Sequence, residues 1–306
     1  MNRSFPETGN WYRGNTHLHT TRSDGVKDPA DAVEEYKRKG YDFVVISDHV
    51  RYFNNSELDG KDFLVVPGVE LHVERENEGI LETHHVTGMY SGEGEPFGHD
   101  HVFSPGIYDG KDTTPVQNMI DTLKAQSNFV IYAHPDWSRT TPETMGRLKG
   151  LDAMEVWNHQ CDFCCGNGDG TMFWDILLRK GMRLWGVAAD DRHIHDERGL
   201  GGFIMVKAPE LSVKEIVRAM KAGSFYSSNG PEIHDFHVDG GVAYAQGSPV
   251  RKVTFFTDGH SSSTNGKTEN HTVDRGTFRL SGKEKFVRVE FMDHTGKRAW
   301  SNPLYL

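Results

Sequence analysis

GNTHLHTTRSDG, residues 14–25, puts two histidines one residue apart near the start of a 306-residue chain. In an extended strand, side chains i and i+2 point to the same face. His17 and His19 would then present two imidazoles together near a strand end, placed to grip one divalent metal. Six later segments share this layout, a short apolar run ending in His, Asp, Glu or Asn. They are YDFVVISDH (41–49), FLVVPGVE (63–70), THHVTGMY (83–90), FVIYAHPDW (129–137), DAMEVWNH (152–159) and RLWGVAADDRHIH (183–195). The runs are β-branched, aromatic and continuous rather than alternating, as expected of buried strands in a parallel sheet.

Helical patterns separate several of the runs. Asp28 reads as an N-cap with Pro29 at N1, and this helix is expected to run to Gly40. VQNMIDTLKAQ, MFWDILLRKG and LSVKEIVRAMKAG follow in turn. Strand, polar tip, helix, strand is the pattern of a (β/α) barrel, which gathers its chemistry at the C-terminal ends of its strands.

Beyond Pro231 the periodicity changes. DFHVDG, VAYAQG, VRKVTFFTDG, GTFRL and KFVRVEFMDHTG are punctuated by Asp-Gly, Gly-Gly and Thr-Gly turn signals. The expectation is two domains: residues 1–232 as a barrel, and residues 233–306 as a small antiparallel β-sandwich. Within the second, 258–270 (DGHSSSTNGKTEN) reads as a mobile hairpin loop. Residues 91–114 and 160–170 read as insertions at the barrel mouth, where long loops shape substrate pockets.

The net charge of −10 argues against a duplex-DNA surface, which needs a basic face. With a mean hydropathy of −0.61 and no long apolar run, no membrane span is expected. The opening MNRSFPETGN has no apolar signal-peptide core, so a cytoplasmic location is expected. The three cysteines, Cys161, Cys164 and Cys165, all lie in CDFCC. A zinc site there would need His159 as a fourth ligand; reduced thiols in a loop after the sixth strand are the favoured reading.

In their order, the strand-end motifs resemble those of the PHP (polymerase and histidinol phosphatase) family of metal-dependent phosphoesterases. The resemblance covers about the first 230 residues, and the ending resembles a two-domain branch with a C-terminal β domain. HLH with SDG matches His17, His19 and Asp24; SDH matches His49 and PGVE matches Glu70. HVTG selects His85 over His84, AHP gives His134, and DDRH gives Asp191 and His193. The resemblance implies a distorted seven-stranded barrel and two or three divalent ions. One ion would sit on His17, His19, Glu70 and Asp191, and a second on Asp24, His49 and His193. A third would share Glu70 and add His85 and His134. Imidazole and carboxylate donors without thiolate suit zinc, manganese or iron. A bridging carboxylate sets the spacing of a two-metal hydrolase, in which a metal-bridging hydroxide attacks. Glu70, Asp191 and His193 are the expected catalytic residues.

Arg51, Asn158, Arg192 and His195 are candidates to contact substrate, and His159 and His195 to protonate a leaving group. The leading expectation is hydrolysis of a small phosphorylated molecule. The alternative is a carbamate, ester or amide bond, since the same chemistry attacks a trigonal carbonyl; a nuclease is a third reading. A basic stripe with interleaved aromatics, the mark of long nucleic-acid binding, is absent.

Overall fold

Seven strands carry the motifs: β1 (Asn10–Asn15), β2 (Phe43–Ile46), β3 (Leu64–Asn77), β4 (Ile80–Tyr90), β5 (Asn128–Tyr132), β6 (Ala153–Asn158) and β7 (Trp185–Ala189). They follow one another through a single sheet in chain order. The computed structural model describes residues 1–77, 80–104, 106–109, 113–194, 197–259, 262–265 and 272–306. Continuity of the apolar runs has a simple cause. In β2, Phe43 and Val45 enter one buried cluster while Val44 and Ile46 enter another, so both faces of the strand are covered. Helix α1 (Pro29–Arg38) covers one face, its N-cap Asp28 accepting from the Ala30 N–H at 3.0 Å. Helices α2 (Thr114–Ala125), α4 (Thr171–Arg179) and α5 (Val213–Lys221) bury apolar stripes against the sheet. Between α2 and α4 lies α3 (His159–Cys165).

Two features depart from the expected barrel. First, β4 runs antiparallel to both β3 and β5. The segments FLVVPGVE and THHVTGMY belong to one long hairpin, since a parallel return needs a crossover of a dozen residues or more. Second, the named strands do not close into a ring. The edge of β1 that would meet β7 is taken by β8 (Phe203–Ala208), antiparallel from Gly14↔Ile204 to Asn10↔Ala208. Only beyond the strand ends do the two flanks meet. There the Asp191 N–H donates to the His17 carbonyl at 3.0 Å and the His19 N–H to the Arg192 carbonyl at 3.3 Å.

The sheet continues past β8 into β9 (Phe225–Ser228), β15 (Arg298–Ser301), β14 (Phe286–Met292) and β12 (Lys252–Thr257). A second sheet holds β10 (Ile233–Asp239), β11 (Val242–Val250) and β13 (Val273–Arg279). Phe236, Phe255, Val289 and Phe291 pack between the two. Among the described residues no helix follows Lys221. A division near Pro231 stands as our proposal, with the pairing of β9 to β15 crossing it. The loop read at 258–270 and the insertion at 91–114 lie partly outside the described residues.

Candidate metal centre

The two histidines of the opening motif lie just past β1, buried to within 1%. The turn that follows brings Asp24 back over them. It needs Gly25, where a Cβ would lie 2.3 Å from the His19 backbone. Asp48 fixes the turn, accepting from the Thr20 N–H at 2.7 Å and from the hydroxyls of Thr20 and Ser23 at 2.8 Å. Asp190, next to a candidate ligand, is likewise structural: it accepts from the Tyr36 hydroxyl and from the N–H groups of Gly201 and Gly202.

At the deepest point four donor atoms converge. His17 Nε2 and His19 Nε2 are 3.0 Å apart, and each lies 3.2 Å from Glu70 Oε2 and 3.2 Å from Asp191 Oδ1. A tetrahedron of ligands about 2.1 Å from a central ion has edges of about 3.4 Å, close to these separations. Glu70 Oε2 and Asp191 Oδ1 are buried, yet neither accepts a hydrogen bond from the protein. Buried carboxylate oxygens left this way are costly unless a cation satisfies them.

Two further sets adjoin the first. His49, Glu70 and His85 offer atoms within 4.8 Å of one another, and so do His19, Asp24, His49 and His193. Glu70 Oε1 lies 2.8 Å from His85 Nδ1 and 3.3 Å from His134 Nε2; Oε2 lies 3.1 Å from His49 Nδ1. His193 Nε2 is 3.3 Å and His49 Nε2 3.5 Å from Asp24. All nine candidate ligands therefore gather in one place, with Glu70 at the centre. The memberships differ from those implied by the resemblance: His19 joins the rim set, and His49 faces Glu70 as well as Asp24. His84, adjacent to His85, points to the opposite face, against the Tyr132 hydroxyl at 2.7 Å.

His134 and Asp191 hold φ of +27° and +51°. Left-handed backbone at non-glycine residues is strain of the kind found at functional sites. The electrostatics are those of a tight imidazole–carboxylate cluster. Burial would lower the His17 pKa, but Asp191, Glu70 and Glu155 outweigh it and raise it well above the usual imidazole value. His19 is raised to about 9 against the same burial, by Asp191 and Glu70. Burial drives His49 down to about 3, with Glu70 opposing. Glu70 and Asp191 lie well below the carboxylate range, because the surrounding imidazoles outweigh burial.

Glu155, in the sixth run, joins the cluster although no role was expected for it. Glu155 Oε1 lies 2.8 Å from His17 Nδ1, while Oε2 accepts from the His134 N–H at 2.9 Å and from Asn158 Nδ2 at 2.7 Å. It fixes the His17 tautomer so that Nε2 presents its lone pair. Its signal in the sequence was its place three residues before Asn158 at the end of the sixth run.

The residues expected against substrate find other partners. Asn158 is fully buried; Nδ2 also donates to Asp191 Oδ2 at 3.0 Å, and Oδ1 caps α3 by accepting from the Cys161 N–H at 2.9 Å. Arg192 is 3% exposed, with Nη1 2.9 Å from Glu35 and Nε donating to the Ile194 carbonyl. Arg51 pairs with Asp100 at 2.9 Å. His159 Nε2 lies 2.6 Å from the Arg198 carbonyl. His195 lies outside the described residues. CDFCC is helix α3 rather than a loop, bounded by the Asn158 cap and by Gly166 at φ +70°.

No protein-family profile matches the chain, and no curated protein matches it. Solved structures do. A two-domain protein from Bacteroides vulgatus, described as containing a predicted PHP-like metal-dependent phosphoesterase, superposes at TM-score 0.51 and 15% identity, covering 99% of this chain and 98% of that one. A candidate metal-dependent phosphoesterase from Bifidobacterium adolescentis gives TM-score 0.40 and 16% identity over 62% of this chain and 89% of its own. An amidohydrolase from Chromobacterium violaceum, with bound sulfate and no metal, gives 0.45 and 11% over 69% and 96%. The first likeness establishes that this chain shares its fold, over nearly its whole length, with a two-domain protein that contains a predicted PHP-like part. No helix among the described residues is long and apolar enough to cross a membrane.

Proposed function

We propose that this chain is a metal-dependent hydrolase of a small molecule, and that the bond it cleaves is a phosphoester. The observation that carries this reading is the convergence of three adjoining donor sets, two of them sharing Glu70, with buried carboxylate oxygens that no protein donor satisfies. His17, His19, Glu70 and Asp191 would hold one divalent ion and His49, Glu70, His85 and His134 a second. Asp24, His49 and His193 would hold a more exposed third. The donors are nitrogen and oxygen without thiolate, which suits zinc, manganese or iron. Ions bound there supply Lewis-acid polarisation of the scissile group and acidify a water.

The chain's own residues do the rest. Glu70 and Asp191 stay ionised and balance charge at the floor of the site. Glu155 holds the His17 ring, and Asn158 fixes Asp191 by its other oxygen. The cavity above the donors is lined by Asp24, His49, Glu70, His85, His134, Asp191 and His193. His193, a quarter exposed and 3.3 Å from Asp24, is the imidazole at the rim.

A carbamate, ester or amide bond remains the second reading. One observation favours it: the described side chains lining the cavity include no Lys or Arg to clamp a phosphate. The test is a panel of phosphomonoester, phosphodiester and carboxyl-ester substrates after loading with Mn²⁺ or Zn²⁺. Turnover of phosphoesters supports the reading, and turnover of the carboxyl ester alone replaces it with the second.

A further inference from the structure

The cavity above the donors measures about 240 Å³. Pockets for drug-sized ligands run to roughly 300–1,000 Å³, so one ring and one ester group fill this one. Its floor is the histidine and carboxylate cluster. Its walls are of another character: the Trp137 indole, and the residues Gln160, Cys161, Cys164 and Cys165 of α3.

Trp137 is 36% exposed, so part of its ring is open to the cavity. Two candidate ligands fix it edge-to-face: His134 at 4.9 Å and 81°, and His85 at 5.5 Å and 71°. Cys161 is 5% exposed and packs as a small apolar group. Lys and Arg are absent from the described lining. Arg192 is committed to Glu35 and Arg51 to Asp100. The walls thus offer an aromatic ring, soft thiols and the Gln160 amide, and no Lys or Arg for a second anionic group.

We infer that the substrate carries an uncharged planar ring on the group away from the reacting bond, and that Trp137 selects it by stacking the ring against the α3 wall. This deepens the proposed function at the same site. It turns away diphosphates, whose second charge would be desolvated there without a Lys or Arg partner.

The test uses the Mn²⁺-loaded full chain and two non-hydrolysable probes, phenylphosphonate and methylphosphonate, with binding read by calorimetry. The phenyl compound is expected to bind roughly tenfold tighter, the scale of one ring stacked on an aromatic side chain. Trp137→Leu should remove most of that preference and Trp137→Phe should keep most of it. Metal content is measured in each variant, because the indole touches His85 and His134. If Trp137→Leu loses metal, the preference in the unaltered protein and in Trp137→Phe decides. Equal binding of the two probes, no binding of phenylphosphonate, or a preference that survives Trp137→Leu overturns the inference. Hydrolysis is scored separately: a phenyl preference without phosphoester turnover overturns the bond assignment and leaves the ring selection standing.

Discussion

The floor and the rim of the donor cluster use the same residue types under opposite conditions. At the floor, His17, His19, Glu70 and Asp191 are at most 4% exposed. Glu155 and Asn158 hold His17 and Asp191 from behind. At the rim, the Asp24 side chain is 55% exposed, and its contacts to His19, His49 and His193 are 3.3–3.5 Å long. Burial without hydrogen-bond donors makes the floor costly to leave empty, whereas water can solvate the rim. The difference teaches that affinity should follow depth, with two tightly held ions around Glu70 and a weaker one outside.

The largest effect that tests this contrast comes from Glu70→Gln. One carboxylate serves two sets, so the variant should lose most bound metal, and activity should fall by more than the roughly 100-fold ceiling typical of outer partners. Metal analysis with a rate assay reads both. Retention of full metal content would break the contrast. Next is Glu155→Gln, which keeps the shape but weakens the acceptor that orients His17. Floor affinity should drop roughly 10–100-fold with the fold intact, read by competition with a chelator. Asp24→Asn should then cost only the weakest ion in a titration. Loss of a tight ion instead would show that depth does not rank the sites. Smallest is the joint replacement of Cys161, Cys164 and Cys165 by Ser. Metal content should not change, because no cysteine joins a donor set among the described residues. The Michaelis constant should rise modestly through the cavity wall.

Much of the floor was legible from the sequence because a strand repeats every two residues. His17 and His19 had to share a face, and ordered motifs carried Glu70, His134 and Asp191. What the sequence reading misplaced traces to chain direction and to side-chain partners. His85 was expected near a strand end, but it lies inside β4, opposite His72 in the hairpin with β3. Its apolar run looks the same whether the strand is parallel or antiparallel. Only the short connection after β3 distinguishes the two, and the run was read as ending at Glu70 although β3 continues to Asn77. Closure of the barrel was illegible for a related reason. The strand that takes the edge of β1 comes nearly 200 residues later, and a local pattern carries no record of it. Arginines beside a motif looked available for substrate because exposure cannot be read from neighbours in sequence. Glu35, on α1, claims Arg192 from across the fold. The α3 helix, expected as a loop, is capped by Asn158 and ends at Gly166.

The most direct test of the account is anomalous diffraction from crystals of the Mn²⁺- or Zn²⁺-loaded protein. The account predicts a strong peak bound by His17 Nε2, His19 Nε2, Glu70 Oε2 and Asp191 Oδ1, and a second on the other side of Glu70 toward His49 and His85. Peaks confined to the rim or to the cysteines of α3, with Glu70 bound to no ion, would contradict it.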